Sequence, residues 1–323
     1  MSEAAPAQAE SFNLVALDEP GFQRLYSERI LPCFEAHEPE RVAAVATFKR
    51  RLMIGIPICV LAFLIVGFLA DFGWGFGALI FGAFGVYIWA SSDVEKVRRA
   101  VKTASLTAIA QSINVSYTVL VPMGPGFDRF CSLNLLPSHD RKKFEDLFSG
   151  AHAGAQFELC DAHLEKRHRD SKGRTTWTTA FRGQIIKLKF VRDFLGVTIV
   201  RRDAGIFNAF GGGGELKKVG LEDSRFEKAF EVFSNDQVEA RYLLHPVFME
   251  RLMELETNFK GKRVRCAFQG GDLLIAIEGG NKFEVGSMFS PLADPLRARS
   301  LVNDLSSVMR VMDAVITAQT KRN

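Results

Sequence analysis

The chain lacks any pair of cysteines at C-x-x-C spacing. Cys33, Cys59, Cys131, Cys160 and Cys266 are odd in number and far apart. This excludes a disulfide framework and a closed zinc cage, and it leaves reduced, mostly buried thiols as the expectation. No G-x-S-x-G, H-E-x-x-H or G-x-G-x-x-G occurs, so a nucleophile elbow, a zincin helix and a dinucleotide fingerprint are absent. The GGGG of residues 211–214 is followed by Glu215 and Leu216, without the Lys and hydroxyl residue that a phosphate loop needs, and reads as a connector. Asp71-Phe72-Gly73 copies a kinase tripeptide, but no H-R-D-L-x-x-x-N loop accompanies it. The first 48 residues also lack the basic start and early apolar core of a cleavable signal peptide, holding 8 acids against 3 bases. No catalytic set, no cofactor and no metal site is expected.

Two other absences are informative because they are local. Residues 52–70 (LMIGIPICVLAFLIVGFLA) carry no charge over 19 positions, long enough at 1.5 Å per residue to cross a ~30 Å hydrocarbon core. Residues 74–90 (WGFGALIFGAFGVYIWA) are also uncharged and end in Tyr87 and Trp89, rings that suit a headgroup boundary. Only Asp71, Phe72 and Gly73 lie between, so the pair predicts an antiparallel helical hairpin within residues 49–93. Gly75, Ala78, Gly82 and Gly85 fall on one helical face, as do Gly55, Cys59 and Ala62 on the first span; they are the expected packing residues, and Pro57 is an expected kink. Neither span holds an ionisable group inside it, which speaks against a transport path through this hairpin.

Orientation follows from the cations. Lys49, Arg50 and Arg51 precede the first span and Lys96, Arg98, Arg99 and Lys102 follow the second, with none in the connection. Positive flanks stay inside, so the expectation is a bacterial inner-membrane protein, multi-pass, with both termini cytoplasmic.

The remaining sequence predicts an α+β region after the spans. Residues 1–48 form an acidic helical segment, and residues 94–323 a cytoplasmic region with subdomains near 105–203 and 215–323. A helix leaves the bilayer to about residue 113, and residues 115–121 read as a strand. A second helix is expected over residues 138–150, with Phe144, Leu147 and Phe148 on one face. Residues 156–169 and 175–190 are extended around Asp170-Ser171-Lys172-Gly173, a long hairpin. Residues 196–202 add a strand and 204–214 a loop. Helices are expected over 221–233, 236–244 and 246–257, then strands over 263–269, 272–278 and 282–287. A closing helix capped by Asp294 carries Leu301, Leu305, Val308, Met312 and Ile316 on one face. Blocks of helices and antiparallel strands indicate an α+β fold.

The stretches LLPSHDRKKFEDLFSG, FELCDAHLEKRHRDSKGRTTWTTAFRG and LKKVGLEDSRFEKAFEVFSNDQVEARYLLHPVFMERL, in that order behind two spans, resemble a bacterial family catalogued as domain of unknown function 3137. The resemblance implies a two-span protein with a soluble cytoplasmic portion. It implies no catalytic residue, because that family has no established chemistry.

Three clusters remain. Cys160, His163 and His168, with Asp161 and Glu165, are the densest set of metal-ligand types, but strand geometry separates residues 160 and 168 by roughly 26 Å and turns His163 to the other face. Residues 151–202 hold 11 bases and 5 acids. Within them Lys166, Arg167, Arg169, Lys172, Arg174 and Trp177 suit anionic lipid headgroups or a protein partner, against the plainer reading of a solvated sheet face; nucleic acid is the less expected target of the same charge. Glu222, Asp223, Glu239 and Arg241 are expected to form structural ion pairs joining two helices. The expected function is an anchored binding or scaffolding module for a protein or anionic lipid in contact with the bilayer. The alternatives are a membrane-tethered hydrolase-like enzyme whose site assembles only on folding, or an accessory subunit of a transporter.

Overall fold

The computed structural model describes residues 12–69, 71–189, 193–202, 216–258 and 263–320. The chain divides into two compact units, neither contiguous in sequence: Glu19–Ile109 with Glu284–Arg299, and Met1–Asp18 with Ala110–Phe283 and Ser300–Asn323.

The first unit is helical. Helix α1 (Glu19–Leu25) runs into a π-helical turn (Tyr26–Ile30) and then α2 (Leu31–Leu69); α3 is Phe72–Ser112. The turn ends where the Leu31 N–H bonds to the Tyr26 carbonyl five residues back, just before Pro32, whose ring has no N–H to give. The helix continues through Pro39 and Pro57. Both long helices are long and apolar enough to cross a membrane, and their outer faces are bare: Phe68 is 88% exposed, Phe81 78% and Trp74 75%. They touch through small residues. A Cβ on Gly75 would stand 3.0 Å from the Gly67 backbone and the Phe63 carbonyl oxygen, one on Gly82 3.0 Å from Cys59 Sγ, and one on Gly55 2.4 Å from Val86 Cγ1. Gly75 and Gly82 thus form the contact row with Val86. A Cβ on Gly85 would meet nothing within 4 Å, and Ala78 is half-buried.

The second unit is built on a sheet of nine strands among the described residues, in the order β1-β2-β3-β4-β9-β8-β5-β7-β6, with every pairing antiparallel. The strands are β1 (Ser116–Val121), β2 (Arg141–His152), β3 (Ala155–Arg169), β4 (Thr175–Lys189), β5 (Thr198–Arg202), β6 (Lys217–Lys218), β7 (Phe230–Ser234), β8 (Val264–Gln269) and β9 (Asp272–Glu278). The helices are α4 (Phe127–Ser132), α5 (Ser224–Ala229), α6 (Gln237–Leu243), α7 (Pro246–Asn258) and α8 (Pro295–Thr320). Strand β4 pairs with β9, so stretches before and after residue 204 share one sheet. One face carries the core of Phe127, Phe130, Phe144, Cys160, Ile185 and Leu274. The opposite side chains of the central strands, such as Leu159, Ile186, Cys266 and Ile275, are also fully buried. The fold is α+β, as its alternation of blocks predicts.

Residues 138–150 are not a helix but most of β2. Its register slips between Glu145 and Phe148, where Asp146 takes φ +57°, a bulge that sets two residues against one. Phe144 and Leu147 pack on one face, while Phe148 meets Phe283 on the other. Apolar residues at helical spacing are therefore what a bulged strand produces when both of its faces are buried. Residues 221–233 are helical only over α5; Phe230–Ser234 alternates buried and half-buried side chains and joins the sheet. Residues 282–287 form no strand, because Phe283 and Gly286 both have positive φ. Leu301, Leu305, Val308 and Met312 are buried on α8, and Asp294 Oδ1 accepts the Leu296 N–H at its start, as expected. Residues 204–214 lie outside the described residues.

Gly183 gives the sharpest steric test. A Cβ there would stand 1.9 Å from the Ile277 carbonyl oxygen of β9, and backbone cannot yield as a side chain can. Gly183→Ala is expected to cost at least about 3 kcal/mol. Gly220→Ala meets only Glu227 Oε1 at 3.9 Å and should change stability by no more than about 0.5 kcal/mol. Thermal unfolding of the purified full chain, followed by circular dichroism, compares the two.

Candidate functional site

The outer half of the β3–β4 hairpin reaches beyond its neighbours. Strand β2 pairs with β3 only as far as Arg141 opposite Glu165, and β9 pairs with β4 only from Gly183 onward. Among the described residues, residues 166–178 therefore have only each other as ladder partners, and residues 167–176 are all exposed. The tip is nonetheless ordered by its own chemistry. Asp170 Oδ1 accepts the N–H groups of Lys172 (2.9 Å) and Arg174 (2.8 Å), and Gly173, at φ +78°, donates its N–H to the Asp170 carbonyl at 3.0 Å. Asp140 Oδ2 accepts the Arg167 N–H at 2.8 Å, and this bond, with Lys166 and Arg167 nearby, holds the Asp140 carboxyl below its ordinary range.

The arm's charge is left largely unneutralised. Arg167 lies opposite Trp177, Arg169 opposite Thr175 and Lys166 opposite Thr178, so each strand cation faces a neutral partner. Among the described residues, Lys166, Arg167, Arg169, Lys172 and Arg174 form no ion pair; Lys166 Nζ donates to Ser138 Oγ at 3.3 Å. Arg141, on the neighbouring strand, adds a cation that no sequence pattern places here. Its guanidinium lies 3.4 Å from the centre of the Trp177 ring, which keeps that ring against the arm.

The metal-ligand types do not meet. Cys160 lies in the core, where burial first and the Asp161 charge second push its thiol up. His163 Nε2 sits 3.1 Å from Thr179 Oγ1, and His168 is exposed on the arm. Two polar pairs, each with a buried Asp and without any sequence signal, lie in the same sheet. Tyr117 Oη donates to Asp146 Oδ1 at 2.7 Å, and Gln184 Nε2 donates to Asp161 Oδ1 at 2.9 Å and to the Gly280 carbonyl at 3.2 Å. Burial, then the Asp146 charge, raises the Tyr117 hydroxyl's pKa. Nothing in an alternating strand pattern distinguishes an inward Asp beside a bulge from an outward one.

A second feature is an open cleft of about 610 Å³ lined by Glu222, Asp223, Arg241, Tyr242, His245 and Met249 among others. Its charged groups bond to backbone rather than to one another, although Asp223 Oδ2 also pairs with Arg225 Nη2 at 3.3 Å. Asp223 caps α5 through the Arg225 and Phe226 N–H groups, and its carboxyl is held low by those bonds. Asp236 caps α6 in the same way. Glu239 accepts the N–H groups of Leu195 and Gly196, both at 2.8 Å. Arg241 Nε donates to the Gly220 carbonyl at 3.3 Å, where the sequence suggests an ion pair, and Glu222 is exposed at the rim. His245 Nδ1 accepts the Phe248 N–H at 3.4 Å, while its buried Nε2 has no partner among the described residues.

Burial lowers the His245 pKa from 6.5. A depressed imidazole is neutral in the folded state, so the unfolded chain binds the extra proton. Stability should be full above pH 6.5 and fall as pH drops through that value toward the folded pKa. Denaturant unfolding across this range should show a slope that His245→Asn removes.

Residues 179–315 match the family model described as protein of unknown function (DUF3137); the match begins inside β4 and ends inside α8. No curated protein matches the chain. Among solved structures, the crystal structure of the mycobacterial trehalose monomycolate transport factor A, TtfA, is similar at 10% identity and a TM-score of 0.34, covering 64% of this chain and 93% of that one.

Proposed function

We propose that this protein is a binding module anchored in a bacterial inner membrane by α2 and α3, with both termini in the cytoplasm, and that the β3–β4 arm binds anionic lipid headgroups. The observation that carries the reading is the arm itself: a projecting hairpin, its turn closed by Asp170, with Arg167, Arg169, Lys172 and Arg174 exposed, none of them in an ion pair among the described residues. Here Arg167 lies opposite Trp177 and Arg169 opposite Thr175, while Lys172 and Arg174 lie on the turn that Asp170 closes through their N–H groups, so the side-chain cations are directed outward with an amphipathic ring at the base. The basic flanks Lys49 to Arg51 and Lys96 to Lys102, with an uncharged pair of helices between them, support the orientation.

Each cation near an anionic surface contributes about 1 kcal/mol. Changing Arg167, Arg169, Lys172 and Arg174 together to Ser should therefore weaken capture of phosphatidylglycerol-containing vesicles by full-length protein in phosphatidylcholine nanodiscs by roughly a thousandfold at low salt. Capture by the unaltered chain should fade as salt rises. Equal capture of neutral vesicles, or capture unaffected by the four substitutions, would sink the reading and direct attention to a protein partner. A reporter active only in the periplasm, fused after Asn323, should be silent.

A further inference from the structure

Within the helical unit, residues 284–299 form a strap that the sequence separates widely from both spans. Its conformation is set from inside by one side chain. The Arg297 guanidinium donates to the carbonyl oxygens of Val285, Ser287 (2.9 Å) and Pro291 (3.2 Å) and to Ser290 Oγ (3.1 Å), closing the loop around itself. The loop is also clamped to α2. Arg41 donates to Glu38 through Nε (2.9 Å) and Nη2 (2.6 Å), and the pair then divides its remaining capacity. Arg41 Nη1 donates to the Met288 carbonyl at 3.0 Å, and Glu38 Oε2 accepts the Leu292 N–H at 3.0 Å. These two anchors flank the loop tip, and the Phe289 N–H is taken by Ser287 Oγ at 3.2 Å.

So much fixing for a loop whose tip is a bare phenylalanine calls for a reason. Phe289 is 54% exposed although its backbone is held on both sides. Its ring sits edge-on to Phe48 at 5.2 Å, and Phe48 sits edge-on to Tyr87 at 6.4 Å. Tyr87 is 58% exposed and Trp89 49%, and Arg51 lies 5.1 Å above the Trp89 ring while pairing with Asp93 at 2.7 Å. Lys49 and Arg50 next to Phe48 are exposed. Aromatic rings beside cations at the end of two uncharged apolar helices are the arrangement that a membrane–water boundary favours, with the ring in the headgroup zone and the charge toward phosphate. An exposed aromatic cluster facing water would instead be a liability.

We propose that Phe289 is an interfacial membrane anchor: the strap of residues 284–299 inserts this ring at the level of the lipid headgroups, extending the belt of Phe48, Tyr87 and Trp89. This makes the strap a membrane-contacting element of the helical unit beside its two spans, held in its bound shape before any lipid arrives, so that little ordering entropy opposes insertion. The inference rests on the membrane reading of α2 and α3, and the experiment separates the two.

Trp74, Trp89 and Trp177 are each changed to Phe, and one reporter is introduced at a time into full-length protein in nanodiscs whose lipids are brominated high on the acyl chain. The Phe289→Trp reporter should lose the larger part of its emission to brominated lipid and resist aqueous acrylamide. The Val238→Trp reporter, at a site 78% exposed on α6, should do the opposite. A chain keeping Trp74 alone should be quenched by lipid. Acrylamide-sensitive, lipid-insensitive emission from Phe289→Trp beside a lipid-quenched Trp74 overturns the anchor and leaves the spans intact. Failure of Trp74 to quench overturns both. Should the tryptophan-free background not fold, a fluorinated phenylalanine at position 289 of the otherwise native chain gives the same decision through relaxation by lipid-borne against water-borne paramagnets.

Discussion

The apolar surface that α2 and α3 leave uncovered is the constraint on which the rest depends. Within the uncharged stretch the two helices approach closely at Gly55, Gly67, Gly75 and Gly82, against Val86, Phe72, the Gly67 backbone and Cys59, while Ile56, Ile58, Leu61, Leu64 and Phe84 face outward. In water such a surface has no compensation. In hydrocarbon it needs none, and helix association there rests on close approach, which the glycines permit. Arg51 and Asp93 then pin the charged ends of the two helices together at 2.7 Å, just outside the uncharged stretch.

The sheet unit solves a different problem, that of burying both faces of the central strands while the outer hairpin stays wet. Along β3 the change occurs within a few residues. Leu159 to Ala162 are buried and Arg167 to Arg169 exposed, and a bulge against β4 lies between, at Leu164 and Glu165. A bulge bends a strand and strengthens its twist, which lets one hairpin serve as core at one end and as a projecting arm at the other.

How much of this was legible in the sequence varied with the physics behind each feature. The helical hairpin was, because an uncharged run of such length has few alternatives. The β3–β4 hairpin was, because Asp170 and Gly173 specify a turn through local bonds. Strand β2 was not: Phe144, Leu147 and Phe148 satisfy a helix by period, and only the pairings with β1 and β3, which are tertiary, select the strand. The cationic arm was readable as a composition, whereas the neutrality of its cross-strand partners was not, since that depends on register. Arg141 and Phe289 were invisible for the same reason. Each acquires meaning from a residue 36 or 241 positions away, Trp177 and Phe48 respectively.

Net charge is a poor guide to where such a protein meets anions, and the distribution of partners is a better one. Of the cations beside the spans, Arg51, Lys96, Arg98 and Arg99 are paired with Asp93 or Glu95. Such pairs are worth little to stability; they nonetheless cancel most of each other's field a Debye length of about 10 Å away. Four exposed cations on the β3–β4 arm, without ion-pair partners among the described residues, therefore project a stronger field than the four paired ones beside the spans. A chain whose formal charge is only +4 can in this way present one positive projection, where Arg167 faces Trp177 and Arg169 faces Thr175 in place of carboxylates.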